Sequence, residues 1–212
     1  MDTRPVNKPL YASASAATKR DSFALAMKRL TDVALSTIAA IIFLPLMIVL
    51  WISIRIDSPG PAIFKQKRVG RGGKLFEIYK FRTMHVGTPQ LATDQMVKMA
   101  KSPITSVGGI LRKFSLDELP QLFNVLRGEM SLVGPRPALF NQYELTQMRE
   151  AAGALSMPPG ITGWAQINGR DELPDDRKVE LDAWYCSHWH YLLDWQIMIK
   201  TVTEVIRRRG AW

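Results

Sequence analysis

The stretch Phe114-Ser115-Leu116-Asp117-Glu118-Leu119-Pro120-Gln121 sets two adjacent carboxylates between an apolar residue and a proline. The chain around them is basic, with 28 Lys and Arg against 19 Asp and Glu. Leu119, Leu122, Phe123 and Leu126 recur at helical spacing and Gly128 supplies a stop, so a helix is expected to start near Asp117. Pro120 fits only its first turn. Asp117 and Glu118 then lie at a helix mouth, where free N–H groups attract phosphate. Two roles are open to them. Ser115-x-x-Glu118 can form a capping box with Asp117 opposing the helix dipole, or the pair can react with a bound phosphate.

Cations that could serve such a phosphate lie on both sides. Lys80 and Arg82 share a face if Lys74 to Met84 is a strand, although exposed lysines also protect strand edges. Arg112 precedes the dyad. Arg136 stands in Gly134-Pro135-Arg136-Pro137, where two prolines fix the backbone, a frame suited to bidentate phosphate capture that a merely solvated arginine would not need. The glycine-punctuated segment from Pro158 to Arg170 has the composition of a binding loop. Two other patterns fail. Gly70-Arg71-Gly72-Gly73-Lys74 is not a P-loop, because Arg68 stands where its first glycine belongs and Leu75 where Ser or Thr belongs. Cys186, His188 and His190 are spaced by two, which points successive side chains to different helix faces and leaves no evident fourth zinc ligand.

The elements that must position these groups can be outlined. Ala62 to Arg68 and Lys74 to Met84 form a hairpin about the glycine cluster. Residues 85–106, punctuated by Pro89 and Pro103, read as a mobile connection suited to a lid. Trp184, Tyr185, Trp189, Tyr191 and Trp195 suit a core, or an interface at lipid headgroups. A closing apolar-periodic helix ends at Arg207-Arg208-Arg209-Gly210. The whole is a mixed α/β chain, mostly helical with one short β-hairpin, with a core expected to make one globular domain.

Val33 to Ile54 carries no charge and is long enough, at about 1.5 Å per residue, to cross a hydrocarbon core of about 30 Å. Pro45 near its middle removes the bond to the Ile41 carbonyl and bends or breaks the helix into two short arms. Lys19, Arg20, Lys28 and Arg29 precede the run, and Arg55, Lys65, Lys67 and Arg68 follow it, so both flanks favour the cytoplasm. A re-entrant helix that enters and leaves by one face satisfies both, while a kinked span remains the alternative. Residues 1–22 are a polar extension without apolar period, residues 23–56 the membrane helix, and residues 57–212 the cytoplasmic domain. The run comes late and long for a signal peptide, so it is expected to be retained. The net charge of +9 favours a phosphate-bearing partner, whether nucleic acid, anionic membrane or phosphorylated substrate. The single cysteine, Cys186, excludes an intrachain disulfide and permits a reducing compartment.

Taken together, "KRLTDVALS", the apolar run with its proline, "DSPGPAIFKQKRVGRGGKLFEIYKFRTM", "SLDELPQLFNVLRGEMSLVGPRP" and "PGITGWAQINGR" resemble the bacterial sugar transferases, the monotopic phosphoglycosyl transferases, over about residues 28–209. The resemblance implies transfer of a sugar 1-phosphate from a UDP-sugar to polyprenyl (undecaprenyl) phosphate with release of UMP, at the cytoplasmic face of a bacterial inner membrane. It implies Asp117 as nucleophile and Glu118 as its partner at a Mg2+-dependent site. Phosphate-contacting cations fall on Lys80, Arg112 and Arg136, with Arg82 beside them and the loop through Arg170 toward the nucleotide. Membrane lipid and downstream glycosyltransferases follow as partners, and nucleic acid does not. In one departure, Met157-Pro158-Pro159-Gly160 has Pro158 where the family usually has arginine. Against the enzyme stands a membrane-tethered basic module without catalysis. That module explains the charge and the anchor, but a carboxylate pair among its cations would weaken it. A magnesium-dependent nuclease is a third possibility, for which two adjacent acids are a thin metal site.

Overall fold

The computed structural model of the chain describes residues 22–89, 103–169 and 173–206. Helix α1 (Ser22–Asp57) holds the apolar run and continues through Pro45 as one element. Pro45 therefore does not end the helix. Proline forfeits one backbone bond, and the Leu, Ile, Met and Phe residues on either side keep the rest of the ladder together. At about 1.5 Å per residue the helix is roughly 54 Å long. Most of its middle is bare: Ile41, Ile42, Leu44, Ile48 and Val49 are all at least half exposed.

What is buried on α1 lies at its two ends. Lys28, Asp32 and Ser36, spaced by four, form one stripe, and Met47 and Ile54 form a second. Near the first stripe, Arg29 donates to the carbonyls of Val125 (2.6 Å) and Leu126 (2.9 Å), and Leu132 N–H donates to Asp32 (3.1 Å). At the other end Met47 and Ile54 pack with Ala62, Phe81 and Leu111, and Asp57 accepts from Val107 N–H (3.1 Å). The helix thus docks by both ends on one domain.

That domain is mixed α/β and mostly helical. Strands β1 (Ile63–Val69) and β2 (Leu75–Phe81) pair antiparallel from Ile63↔Phe81 to Val69↔Leu75. The glycine cluster turns between them, with Gly72 and Gly73 at φ 63° and 77°, a region glycine enters freely. Helix α2 (Ser106–Lys113) is capped by Thr105 through Gly108 N–H, and α3 (Gln121–Arg127) ends on Gly128 at φ 82°. A second pair of strands, unforeseen in the sequence, follows: β3 (Ser131–Val133) runs parallel to β4 (Gly160–Thr162). They approach closely because they carry glycine. A Cβ on Gly134 would lie 2.2 Å from Pro158 O, and one on Gly160 2.1 Å from Gly134 N. Helices α4 (Tyr143–Ala151), α5 (Trp164–Ile167), α6 (Asp175–His188) and α7 (Tyr191–Ile206) complete the domain. Its main core gathers Val133, Met157, Tyr185, Cys186, Leu193 and Ile197.

The connection expected over residues 85–106 is partly outside the described residues. Its ends are joined, His85 N–H donating to Pro103 O (3.0 Å) and Met84 bridging Ile104. Cys186 is buried and donates to Ala154 O (3.4 Å), while His188 stacks on Trp184. The extension through residue 21 and Arg207 to Trp212 also lie outside the described residues.

Candidate active site

Asp117 and Glu118 sit in a single 3-10 turn (Leu116–Glu118) that precedes α3 rather than belonging to it. The chain enters that turn through Ser115 at φ 54°, the only non-glycine with positive φ among the described residues. A left-handed serine costs on the order of 1–2 kcal/mol. It also cancels the capping box: the Ser115 side chain makes no capping bond, its N–H donates to Arg112 O (3.2 Å), and the Glu118 carboxylate turns away. Strain in the turn, followed at once by Pro120, aims both carboxylates at the cations on neighbouring elements.

Lys80, next to last in β2, donates to Glu118 Oε1 (2.7 Å), and its Nζ lies 3.7 Å from Asp117 Oδ2. Arg136 donates from Nη2 to the same Glu118 oxygen (3.1 Å). Arg112, in the last turn of α2, is near enough to bear on the charge of Asp117. Three elements therefore converge on the turn that carries the dyad. Glu118 is the committed member, bridged by two cations, and Asp117 the less engaged. The loop of Arg136 is fixed from behind by Arg149, which donates to Arg136 O (2.7 Å) and to the buried Asp182 (2.7 Å).

Two expected cations stand differently. Strand β2 ends at Phe81, so the alternation that would align Arg82 with Lys80 stops one residue short. The Arg82 side chain is buried against the end of α1 instead, donating to Pro59 O (2.6 Å) and Ser58 O (2.7 Å), and it is a structural clamp there. Arg170 lies outside the described residues. Pro45 lies within α1 and is exposed.

The environments of the two carboxyls diverge. Burial pushes Asp117 above its ordinary 3.8; Lys80 opposes this, Glu118 reinforces it, and Arg112 and Arg136 oppose it. Burial also acts to raise Glu118, but the charges and hydrogen bonds of Lys80 and Arg136 outweigh it and hold the group well below the usual carboxylate range. Glu118 stays ionised at any working pH, while Asp117 gains basicity. The linkage for Asp117 runs against stability: the folded protein holds its proton more tightly than the unfolded chain. Stability from this group therefore falls as pH rises from 3.8 through the folded-state value, and stays lower beyond. Asp117→Asn should accordingly melt at a higher temperature than wild type at pH 7, and any reaction that needs the Asp117 anion should show an acid limb above pH 3.8. A variant that melts lower, or an acid limb at or below that value, would contradict the burial of the group.

Beside the dyad opens a cleft of about 180 Å3. Glu118 and Arg136 line it together with Leu119, Leu122, Ile161 and Ile167, while Ser115, Glu204 and the hydrogen-bonded pair Thr162 and Thr201 (2.7 Å) add polar groups. The segment from Pro158 to Arg170, expected to be a binding loop, reaches the cleft through Ile161, Thr162, Gln166 and Ile167, whereas the α7 contribution was not evident in the sequence, because nothing in an apolar helix announces which face meets a site. Among the described residues there is no cluster of three or more His, Cys, Asp or Glu side chains able to hold a metal.

Fold and site together define a small α/β domain carried on one long apolar helix, presenting a buried carboxylate dyad to a ring of cations. A profile of the bacterial sugar transferases matches residues 23–208, and the chain belongs to that family. Undecaprenyl-phosphate galactose phosphotransferase of Salmonella typhimurium is 43% identical over 200 residues, which cover 88% of this chain and 42% of that protein. A UDP-glucose:undecaprenyl-phosphate glucose-1-phosphate transferase of Caulobacter vibrioides is 39% identical, covering 87% of this chain and 72% of the relative. The uncharacterized sugar transferase EpsL of Bacillus subtilis is 43% identical over 74% of this chain and 76% of its own length. The chain thus spans about two fifths of some relatives and about three quarters of others.

Proposed function

We propose that this protein transfers a sugar 1-phosphate from a UDP-sugar to undecaprenyl phosphate, as the names of its relatives say of them, through a covalent intermediate on Asp117. The single observation that carries the mechanism is the asymmetry of the dyad. Glu118 is bound by Lys80 and Arg136, whereas Asp117 is buried, raised in basicity and only loosely approached by Lys80. An Asp117 oxygen attacks the β-phosphorus of the donor. The bond from that phosphorus to the bridging oxygen breaks, and UMP leaves with the electron pair. A phosphate oxygen of the lipid then attacks the same phosphorus, the Asp117 carboxylate departs, and the product is a polyprenyl-diphosphate sugar. Two displacements let a soluble donor and a lipid acceptor use one site in turn.

Like charges meet in both steps, so Lys80, Arg112 and Arg136 must screen the phosphates. The residues fit a Mg2+ ion that brings ligands with it, since Mg2+ is commonly held by one or two carboxylates together with substrate phosphate and water. Asp117 and the uncommitted oxygen of Glu118 would hold it. Bound there, the ion would neutralise charge on the diphosphate. Multiple turnover of UMP release that needs both a UDP-sugar and polyprenyl phosphate tests the reaction, and cleavage of many equivalents of nucleotide sugar per site without the lipid would reject it. A basic tethering module does not account for the dyad.

The re-entrant placement of α1 is part of the same proposal. Lys28 and Ile54, roughly 39 Å apart along the helix, both dock on one domain, which a helix with its ends on opposite sides of a bilayer could not do. The exposed apolar middle would dip into one leaflet, and the dyad would face the cytoplasm at the inner membrane. With Cys186 replaced by serine, cysteines placed at Ser13 and at Ser102 should both resist an impermeant thiol reagent in intact cells and react after lysis. Labelling at position 13 alone in intact cells would establish a span.

A further inference from the structure

Asn124, on α3, ties the helix that follows the dyad to the strand that delivers Lys80. The hairpin sheet has two strands among the described residues, so one edge of β2 has no strand beside it. The Asn124 side chain takes that place. Its Oδ1 accepts from Tyr79 N–H (3.0 Å), and its Nδ2 donates to Glu77 O (2.7 Å) and to Glu129 Oε2 (2.7 Å). The carbonyl of one strand residue and the N–H of the second residue on point to the same side, so the amide pairs with β2 as the peptide group of a third strand would. Nδ2 meets two acceptors and Oδ1 a donor, so a flipped amide would set like against like at all three contacts. Asn124 is fully buried, and both hydrogens of its amide are used.

What these bonds fix is a distance. Glu118 lies just before α3, Asn124 lies within it, and Lys80 follows Tyr79 directly. The Lys80–Glu118 bond (2.7 Å) therefore closes a ring that runs from the dyad turn through α3, Asn124 and Tyr79 to Lys80 and back. Pairing with β1 holds β2 inside the hairpin but does not hold the hairpin against the dyad. Ile78 packs on Val125 and Met130 across the same interface, and such apolar contact is non-directional and tolerates sliding. The buried bonds to Asn124 do not. We infer that Asn124 is a positioning residue for Lys80: standing in for a strand on the edge of β2, it sets the distance of the Lys80 ammonium from the Asp117-Glu118 dyad. It acts through Lys80 and takes no part in the phosphoryl steps. The inference rests on the proposed function only for its kinetic readout.

The test is a double-mutant cycle on the full chain in detergent, with UDP-glucose or UDP-galactose as donor, undecaprenyl phosphate as acceptor and UMP release as the rate. Asn124→Leu is close in size and has no group for Glu77 O or Tyr79 N–H. It should slow UMP release at least about tenfold, since displacing a catalytic group by about 1 Å can cost about 10^2-fold. In a Lys80→Met background the same change should cost less than about twofold, because the group it positions is gone. Melting temperature should fall in both backgrounds, so a role in the fold alone would slow the reaction in both. Burial raises Asp117, Lys80 is the largest charge opposing it, Glu118 adds to the rise, and Arg112 and Arg136 oppose it less. Asn124→Leu should therefore move the acid limb of the rate to higher pH, as Lys80→Met does. Equal losses with and without Lys80, or an acid limb that stays in place, overturn the inference and leave the proposed function standing. A Lys80→Met protein that turns over like wild type overturns both. Asn124→Ser, a milder change, enters the same cycle if the leucine variant does not fold. In wild type, hydrogen exchange at Tyr79 N–H should be as slow as at the β2 amides paired with β1, and fast exchange there overturns the inference without any variant.

Discussion

Asp117→Asn should lower turnover by at least about 10^3-fold, roughly 4 kcal/mol of transition-state stabilisation, and should abolish any covalent sugar-phosphate adduct. The amide keeps the size of the carboxylate but offers no anionic oxygen to phosphorus. Lys80 and Arg136 remain on Glu118, so the site should stay assembled. The variant should also be more stable, because the carboxylate it removes is buried and held above its ordinary pKa. Loss of activity with gain of stability separates removal of a nucleophile from damage to the fold. An Asp117→Asn protein that is both inactive and unstable would point to a structural role for the dyad instead.

The second large effect is expected far from the chemistry, at Lys28. Its ammonium donates to Asp194 (2.6 Å) and to Val133 O (2.9 Å), with both side chains almost wholly buried. Tyr185 and Trp189 donate to the other Asp194 oxygen at 2.8 and 3.2 Å. Lys28→Met leaves a buried carboxylate without its counter-charge, and such truncations cost about 3–5 kcal/mol. Lys28→Met combined with Asp194→Asn should recover much of the loss, since the orphaned charge is then gone. The pair joins α1 to α7, and the bond from Lys28 to Val133 O ties α1 to the end of β3 as well, one residue before the Gly134-Pro135-Arg136 loop, so the single variant should also lose activity. Chemical denaturation in detergent, with both single variants and the double, measures the coupling. A Lys28→Met protein within about 0.5 kcal/mol of wild type would mean that the membrane helix is not latched to the catalytic domain.

Much of the site could be read from the sequence because its parts are local. The Asp117-Glu118 pair, the proline frame of Arg136 and the β-hairpin that delivers Lys80 are each specified within a few residues, and the structure brings them together. Arg82 could not be placed that way, since strand alternation holds only while the strand lasts, and β2 stops at Phe81. The capping box was a correct sequence pattern undone by one backbone angle, the left-handed Ser115, which no neighbouring glycine announced. The parallel β3–β4 pair is three residues per strand and joins segments far apart in the chain, so no periodicity could reveal it. Asp194 did leave a signal, an acid between Leu193 and Trp195 in the first turn of an apolar helix, although its partner lies 166 positions away. The unbroken α1 shows that a proline marks a lost bond rather than the end of a helix.

On this mechanism Asp117 becomes phosphorylated by the sugar donor before the lipid is involved. It is tested most directly by mixing the protein with a UDP-sugar it turns over, in the complete absence of polyprenyl phosphate, and following UMP and the intact mass of the protein together. UMP should appear in a burst approaching one equivalent per active site, with the mass of one sugar phosphate appearing on the peptide that contains Asp117 and leaving it when polyprenyl phosphate is added. UMP that appears only once the lipid is present, with no mass gain at any time, would mean direct transfer between two substrates bound together and would contradict the covalent role of Asp117.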